Sequence, residues 1–306
     1  MIPDIICMGE PLVEFNETQP GVFRQGFGGD TSNCAIAAAR QGARVGYLTA
    51  VGADAFGERL LALWRGEGVD TSHVVRDTDH PTGHYFVTHG ADGHVFTYHR
   101  KGSAASCMRA ADLPLDYIAA ARVLHVSAIS QAISGAAHDA VLAAMDTARA
   151  AGVQVSYDTN LRLALWSLDE AREVIHGALA RADIALPGYD DAVQLTGLTA
   201  PQDIVAFYLG LGPRTVALSL GAGGIALGAG GRTLRIAGHR VDAVDATGAG
   251  DTFDGAFLAM LAGGMQPADA ARHANAAAAL SATGYGAVAP IPSREQVAAF
   301  LSREGV

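Results

Sequence analysis

The sequence predicts an α/β fold: a central, mostly parallel sheet with helices on both faces, plus a small β-sheet set apart from it. Three observations carry this. From Arg122 onward, short apolar runs alternate with longer amphipathic segments, the pattern of strands joined by crossover helices. Two stretches of period-2 alternation, 84–88 and 94–98, flank Gly90-Ala91-Asp92-Gly93 and read as an antiparallel hairpin outside that pattern. Half of the 306 residues are hydrophobic and 37 are glycine, which supplies a large core and is unlike a disordered composition.

In order, Ile5-Ile6-Cys7-Met8 is a buried strand ended by Gly9-Glu10. Residues 11–30, with Pro11, Pro20, Gly21 and Gly26, read as irregular or short-strand chain. Phe27-Gly28-Gly29-Asp30-Thr31-Ser32-Asn33 then runs into an Ala-rich helix that ends near Arg40. Residues 45–51 form a strand, and 54–65 a helix with Asp54 at its N-cap. After the hairpin, strands are expected over 123–126, 153–157, 184–186, 215–218 and 225–227, and helices over 135–150, 168–180, 192–195 and 202–211. Alternation over 236–244 predicts a further strand. Helices over 250–261, 267–283 and 293–301 close the chain. With no repeat and no low-complexity linker, the expectation is a single domain over 1–306, its small sheet built from insertions at about 11–30 and 82–102.

Net charge is −10, which argues against nucleic acid as a partner, since phosphate backbones call for basic patches. Cys7, Cys34 and Cys107 show no metal-ligand spacing and read as small buried hydrophobes. No basic leader precedes an apolar run, and no helical pattern is long enough to span a bilayer, so a cytoplasmic chain without membrane partners is expected.

The most informative stretch is Asp245-Ala246-Thr247-Gly248-Ala249-Gly250-Asp251, which lies between a predicted strand and a predicted helix. Unpaired amides and the helix dipole at such a junction suit phosphate. Asp251 would repel a phosphate but suits the removal of a proton from a hydroxyl that attacks one. A tight turn with an Asp near the helix start is the plainer alternative. Gly28-Gly29-Asp30 with Asn33 pairs a site of close backbone approach with groups that bond sugar hydroxyls, although a capped turn has the same pattern.

Tyr98-His99-Arg100-Lys101-Gly102-Ser103-Ala104 places cations at a strand end, and Asp158-Thr159-Asn160-Leu161-Arg162 follows a predicted parallel strand, where ligands of open α/β sheets bind. Alone, the Arg100-Lys101 pair reads more simply as a solvated basic tip, and Arg162 equally well as an ordinary surface residue. Together, Arg100 and Arg162 are two guanidinium forks, of use to a carboxylate and not to a neutral sugar. Ser219-Leu220-Gly221-Ala222-Gly223-Gly224 is a glycine turn between strands, and no P-loop pattern occurs.

The Gly-Ala-Gly-Asp core followed by Phe253-Asp254-Gly255-Ala256-Phe257 resembles the C-terminal signature of the ribokinase-like (PfkB-type) carbohydrate kinases, with Ala246 where that family has Thr or Ser. Gly28-Gly29 with Asn33 resembles the family's N-terminal sugar motif, and the likeness covers essentially the whole chain. It implies a ribokinase-like fold with a β-sheet lid, and ATP with Mg2+ as cofactors. It also implies catalytic roles for Asp251 and for the turn Gly248, Ala249 and Gly250, with substrate contacts at Gly29, Asp30 and Asn33. The nucleotide is implied to lie along Ser219, Gly221, Gly224, Gly248 and Gly250, with the helix of Asn275 as the adenine-side wall.

Tyr98, Arg100 and Arg162, with Leu165-Trp166 after the latter, resemble the 2-keto-3-deoxygluconate kinase branch, in which the Tyr and both Arg contact an acid substrate. Tyr85 matches a lid aromatic of that branch. Where the family has P-N-x-x-E, this chain has Pro187-Gly188-Tyr189-Asp190-Asp191; the Asn is Gly188 and the Glu is Asp191, so Asp191, with its neighbour Asp190 as the alternative, is the implied counterpart for Mg2+, acting through water. The implied partners are a sugar acid and ATP, and the implied assembly is a homodimer through the lid. A kinase for a neutral sugar or nucleoside and a non-catalytic sugar or nucleotide sensor are the rival readings; a nicotinamide-binding fold lacks its glycine fingerprint after the first strand.

Overall fold

The apolar runs and amphipathic segments become the following elements in a computed structural model that describes residues 2–90 and 93–304. In order these are β1 (Ile5–Met8), β2 (Leu12–Gln19), β3 (Val22–Gly28), α1 (Asp30–Arg40), β4 (Val45–Leu48), β5 (Ala50–Gly52), α2 (Ala55–Gly66), β6 (Val75–Asp77), β7 (His84–Gly90) and β8 (Gly93–His99). The middle of the chain forms α3 (Leu115–Ala119), β9 (Val123–Ser127), α4 (Ala128–Ala132), α5 (Gly135–Ala150), β10 (Gln154–Asp158), α6 (Leu168–Leu179), β11 (Ile184–Leu186) and α7 (Tyr189–Thr196). The last third forms α8 (Pro201–Leu211), β12 (Thr215–Ser219), β13 (Ile225–Ala229), β14 (Arg232–Ile236), α9 (Ala249–Ala262), α10 (Pro267–Ser281) and α11 (Arg294–Glu304).

Eight strands make the main sheet, in the order β14-β13-β12-β11-β10-β9-β1-β4. From β12 to β4 each neighbouring pair is parallel, while β13 and β14 add an antiparallel edge. Successive side chains of a strand face opposite ways, so a parallel sheet needs a core on each face. Ile5 and Cys7 enter one core with Ile36 of α1, Leu60 of α2 and Phe257 of α9. Ile6 and Met8 enter the other with Val141 of α5, Ile175 of α6 and Tyr208 of α8. Cys7 and Cys34 are buried and unbridged.

Three expectations are corrected. Residues 11–30 hold two long strands rather than irregular or short-strand chain: Pro20-Gly21 marks the turn between β2 and β3, so the breakers punctuate a hairpin. These strands join β7 and β8 in a second sheet, ordered β3-β2-β7-β8. The tip of the β7–β8 hairpin, Ala91-Asp92, lies outside the described residues. The alternation over 236–244 is not a strand. The strand ends at Ile236, after a tight turn at Gly230-Gly231, both at positive φ. Asn275 Nδ2 then donates to the Ala237 carbonyl at 2.8 Å and draws the chain off the sheet edge. The expected strand 45–51 is also divided: β4 stays in the main sheet, while β5 pairs with β6.

Two local features hold the frame of the site. Asp54 caps α2 by accepting from the amides of Phe56 (3.0 Å) and Gly57 (2.8 Å), and it also accepts from the Thr82 amide and hydroxyl at the foot of the second sheet. Helices α1 and α9 pack through small residues. A Cβ at Gly255 would lie 2.3 Å from the Cys34 carbonyl oxygen, so only glycine lets the two backbones come this close.

Candidate active site

Strand ends and helix starts of the main sheet converge on one cluster of polar groups. Helix α1 begins directly after β3 and presents Asp30 and Asn33, and α9 presents Asp251 in its first turn. The link between them is direct: Asn33 Nδ2 donates to Asp251 Oδ2 at 2.8 Å. After β10 the chain turns over Asp158, whose Oδ1 accepts from the Asn160 amide (3.1 Å), and Asn160 Nδ2 donates to Asp30 Oδ2 (3.1 Å). The Leu161 amide donates to Asp191 Oδ2 (3.0 Å) in the first turn of α7. Arg162 is exposed, with one hydrogen bond to its neighbour's carbonyl, and its charge acts on both Asp251 and Asp191.

Burial raises the Asp251 carboxyl to about 7; the negative charge of Asp30 adds to this, while Asn33 and Arg162 oppose it. Its surface still reaches the cleft. Asp158 and Asp254 are also pushed well up, chiefly by burial, with the charge of Asp30 adding at Asp158 and that of Asp158 adding at Asp254. A carboxyl with affinity for a proton near neutrality, in reach of the cleft, suits a general base.

The turn before α9 is rigidly held. Asp245 Oδ1 accepts from the Thr247 amide (2.9 Å) and hydroxyl (2.6 Å), and its Oδ2 accepts from the Gly286 amide (2.9 Å). Gly248 is the N-cap, and its carbonyl accepts from the Thr252 amide at 2.8 Å. The Ala249 amide donates to the Ala246 carbonyl at 3.1 Å, so it is occupied within the turn. Among the described residues the amides of Gly250 and Asp251 have no backbone acceptor, and they stand at the positive end of a 14-residue helix. This arrangement fits the phosphates of a nucleotide.

The second sheet contributes from above. Arg100, at the end of β8, pairs with Glu10, just after β1. Its guanidinium carbon lies 5.3 Å from the centroid of the Tyr98 ring, which is itself exposed. The Tyr85 hydroxyl donates to Glu14 Oε2 at 2.6 Å and is thereby committed inside the second sheet. Ser219 ends β12 and the turn Gly221–Gly223 follows it, and Gly224 lies against the carbonyl of Ile236. Asn275 is buried and its amide nitrogen is spent on Ala237, so it shapes this region through the loop it holds.

No group of three or more acidic, His or Cys side chains among the described residues could cage a metal. Asp191 has one oxygen taken by the Leu161 amide, which leaves the other. That donor set fits a Mg2+ held mainly by phosphate oxygens and water, with Asp191 reached through water.

Glu10 and Asp254 were not singled out by the sequence. Both had a signal: Glu10 stands at the C-terminal end of the first parallel strand, and Asp254 is three residues after Asp251, on the same face of its helix.

The pfkB family carbohydrate kinase model matches residues 3–294. The chain is 36% identical over 312 residues to the 2-dehydro-3-deoxygluconokinase of Bacillus subtilis (strain 168), covering 98% of this chain and 96% of that one. It is 35% identical over 311 residues to fructokinase-1 of Oryza sativa subsp. japonica, covering 96% of each. The structure of an E. coli protein assigned as ribokinase II, in complex with ATP and Mg2+, matches with a TM-score of 0.91 at 26% identity, over 98% of this chain and 99% of that one. No helix among the described residues is long and apolar enough to cross a membrane.

Proposed function

The chain belongs to the pfkB family of carbohydrate kinases and is a sugar kinase that uses ATP with Mg2+, and we propose that its acceptor is a sugar acid, 2-keto-3-deoxygluconate, phosphorylated at its 6-hydroxyl. The observation that carries this is Arg162: an exposed guanidinium whose charge reaches Asp251 and which, among the described residues, has one hydrogen bond, to the Leu161 carbonyl, leaving its other donors for a carboxylate. The likeness to the B. subtilis enzyme supports the same substrate.

In this reading Asp251 accepts the proton of the attacking hydroxyl while the hydroxyl oxygen forms its bond to the γ-phosphorus and the bond to ADP breaks. Asn33 fixes the carboxylate that does so. The free amides of Gly250 and Asp251 and the α9 dipole stabilise the charge spread over the phosphoryl oxygens. Mg2+, when bound, neutralises phosphate charge, with Asp191 acting through water. Gly29, Asp30 and Asn33 orient the hydroxylated end of the substrate, and Arg100, Tyr98 and Arg162 its carboxylate. The strip from Ser219 to Gly224 and the loop anchored by Asn275 flank the nucleotide. The second sheet closes over the sugar, and its exposed Val22, Phe23, Val95 and Phe96 form the contact of a homodimer.

A second reading, a kinase for a neutral sugar, is favoured by one observation: Arg100 already has Glu10 as its counter-ion, so of the two guanidiniums Arg162 alone has no ion-pair partner among the described residues. ADP release with 2-keto-3-deoxy acids, aldonic acids, ribose, fructose and adenosine separates the two. The sugar-acid reading predicts a kcat/KM for 2-keto-3-deoxygluconate at least about ten-fold above the others, a difference of roughly 1.4 kcal/mol. Fructose or ribose as the best acceptor would overturn it and leave the kinase assignment in place.

A further inference from the structure

We propose that Glu10 is a positioning residue for acceptor recognition: from behind Arg100 it fixes the guanidinium against the Tyr98 ring and holds the second sheet to the end of β1. This rests on the reading that Arg100 faces the sugar. Glu10 is 1% exposed and Arg100 only 13%, so their ion pair is almost dry. It joins two bodies of the fold, since Glu10 continues β1 of the main sheet and Arg100 continues β8 of the second. Within the pair, one terminal nitrogen of Arg100 meets Glu10 Oε2. Arg100 Nε and Glu10 Oε1 are both buried without a hydrogen-bond partner among the described residues.

A guanidinium carries five N–H donors in a rigid fork. Anchoring one donor to a buried carboxylate and laying the plane by an aromatic ring fixes where the other donors point. A long, exposed Arg would have to lose its side-chain freedom each time a sugar bound. Here that ordering is complete beforehand. Glu10 also cancels one positive charge, so Arg100 contributes direction rather than net attraction, and Arg162 contributes the net charge.

The test is a double-mutant cycle on Glu10 and Arg100, read with the acceptor that the wild-type enzyme uses fastest and, separately, with ATP. Glu10→Ala is expected to raise the acceptor KM at least about ten-fold, the scale of truncating one partner of a buried charge pair. ATP KM should stay within about two-fold, because binding on the nucleotide side is not touched. Glu10→Gln, which still accepts a hydrogen bond from Arg100, should recover a large part of the loss. Glu10→Ala combined with Arg100→Ala should be no worse than Arg100→Ala alone, because Glu10 acts only through Arg100. Additive effects, or acceptor and ATP KM rising together, would overturn the proposal. If Glu10→Ala does not yield folded protein, Glu10→Leu, which fills the space and offers Arg100 no acceptor, takes its place in the cycle and decides by the same criterion. A wild-type enzyme that phosphorylates no sugar would instead sink the functional reading; additivity with a working acceptor sinks only the role of Glu10.

Discussion

Asn33 and Asp251 stand near opposite ends of the chain, yet the Asn33 amide nitrogen donates to Asp251 Oδ2 at 2.8 Å. The bond orients the carboxylate and favours its charged form. Asn33→Ala is therefore expected to lower kcat by about ten-fold or more and to move the acidic limb of the pH–rate profile to higher pH. A pH-rate series on the variant checks both. An unchanged limb would mean that the bond does not act on the reacting carboxyl.

The Asp251 carboxyl, raised to about 7, must be ionised to accept a proton. The kcat/KM of the free enzyme is thus expected to be full above that pH and to fall as pH drops through about 7. The same shift acts on stability. A carboxyl with a higher pKa folded than unfolded stabilises the fold while it is protonated, so stability should decline as pH rises from about 3.8 to about 7. Thermal melts of wild type and Asp251→Asn across this range should converge at the acid end, with the variant the more stable of the two at pH 8.

Gly255 sets the distance between α1 and α9, and with it the Asn33–Asp251 bond. Gly255→Ala must push the helices apart, because its Cβ would meet backbone rather than a movable side chain. The expected cost is roughly 1–3 kcal/mol of stability, together with a fall in kcat out of proportion to any change in ATP KM. Denaturant titration and steady-state kinetics measure the two parts.

Asp54 lies away from the chemistry and tests the frame alone. Asp54→Ala removes the cap of α2 and its bonds to Thr82 and should cost about 1–2 kcal/mol, read as a lower melting temperature. Assayed well below that temperature, kcat should stay near the wild-type value.

The parallel half of the sheet was legible because its strands are buried on both faces, and continuous apolar runs such as Ile5-Ile6-Cys7-Met8 state that directly. The β2–β3 hairpin was not, because its residues are half-exposed and mixed in character, and its Pro and Gly read as breakers until a partner strand is known. Residues 236–244 show the opposite failure: they alternate as a strand does, but Asn275, far along the chain, takes the Ala237 carbonyl and ends the pairing. Asp30, Asn33, Arg162 and Asp251 could be named because each sits in a short motif at a strand end or helix start. Glu10 also sits at a strand end, but its pairing with Arg100, 90 residues away, leaves no local pattern, so its place could be read and its role could not.

Replacement of Asp251 by Asn tests the central claim most directly, because it keeps the shape and removes the base. With the best acceptor at saturation, ADP formation by Asp251→Asn is expected to fall by roughly 10²–10⁴-fold while ATP binding is kept. Turnover within a few-fold of wild type would contradict the assignment of Asp251 as the group that takes the proton.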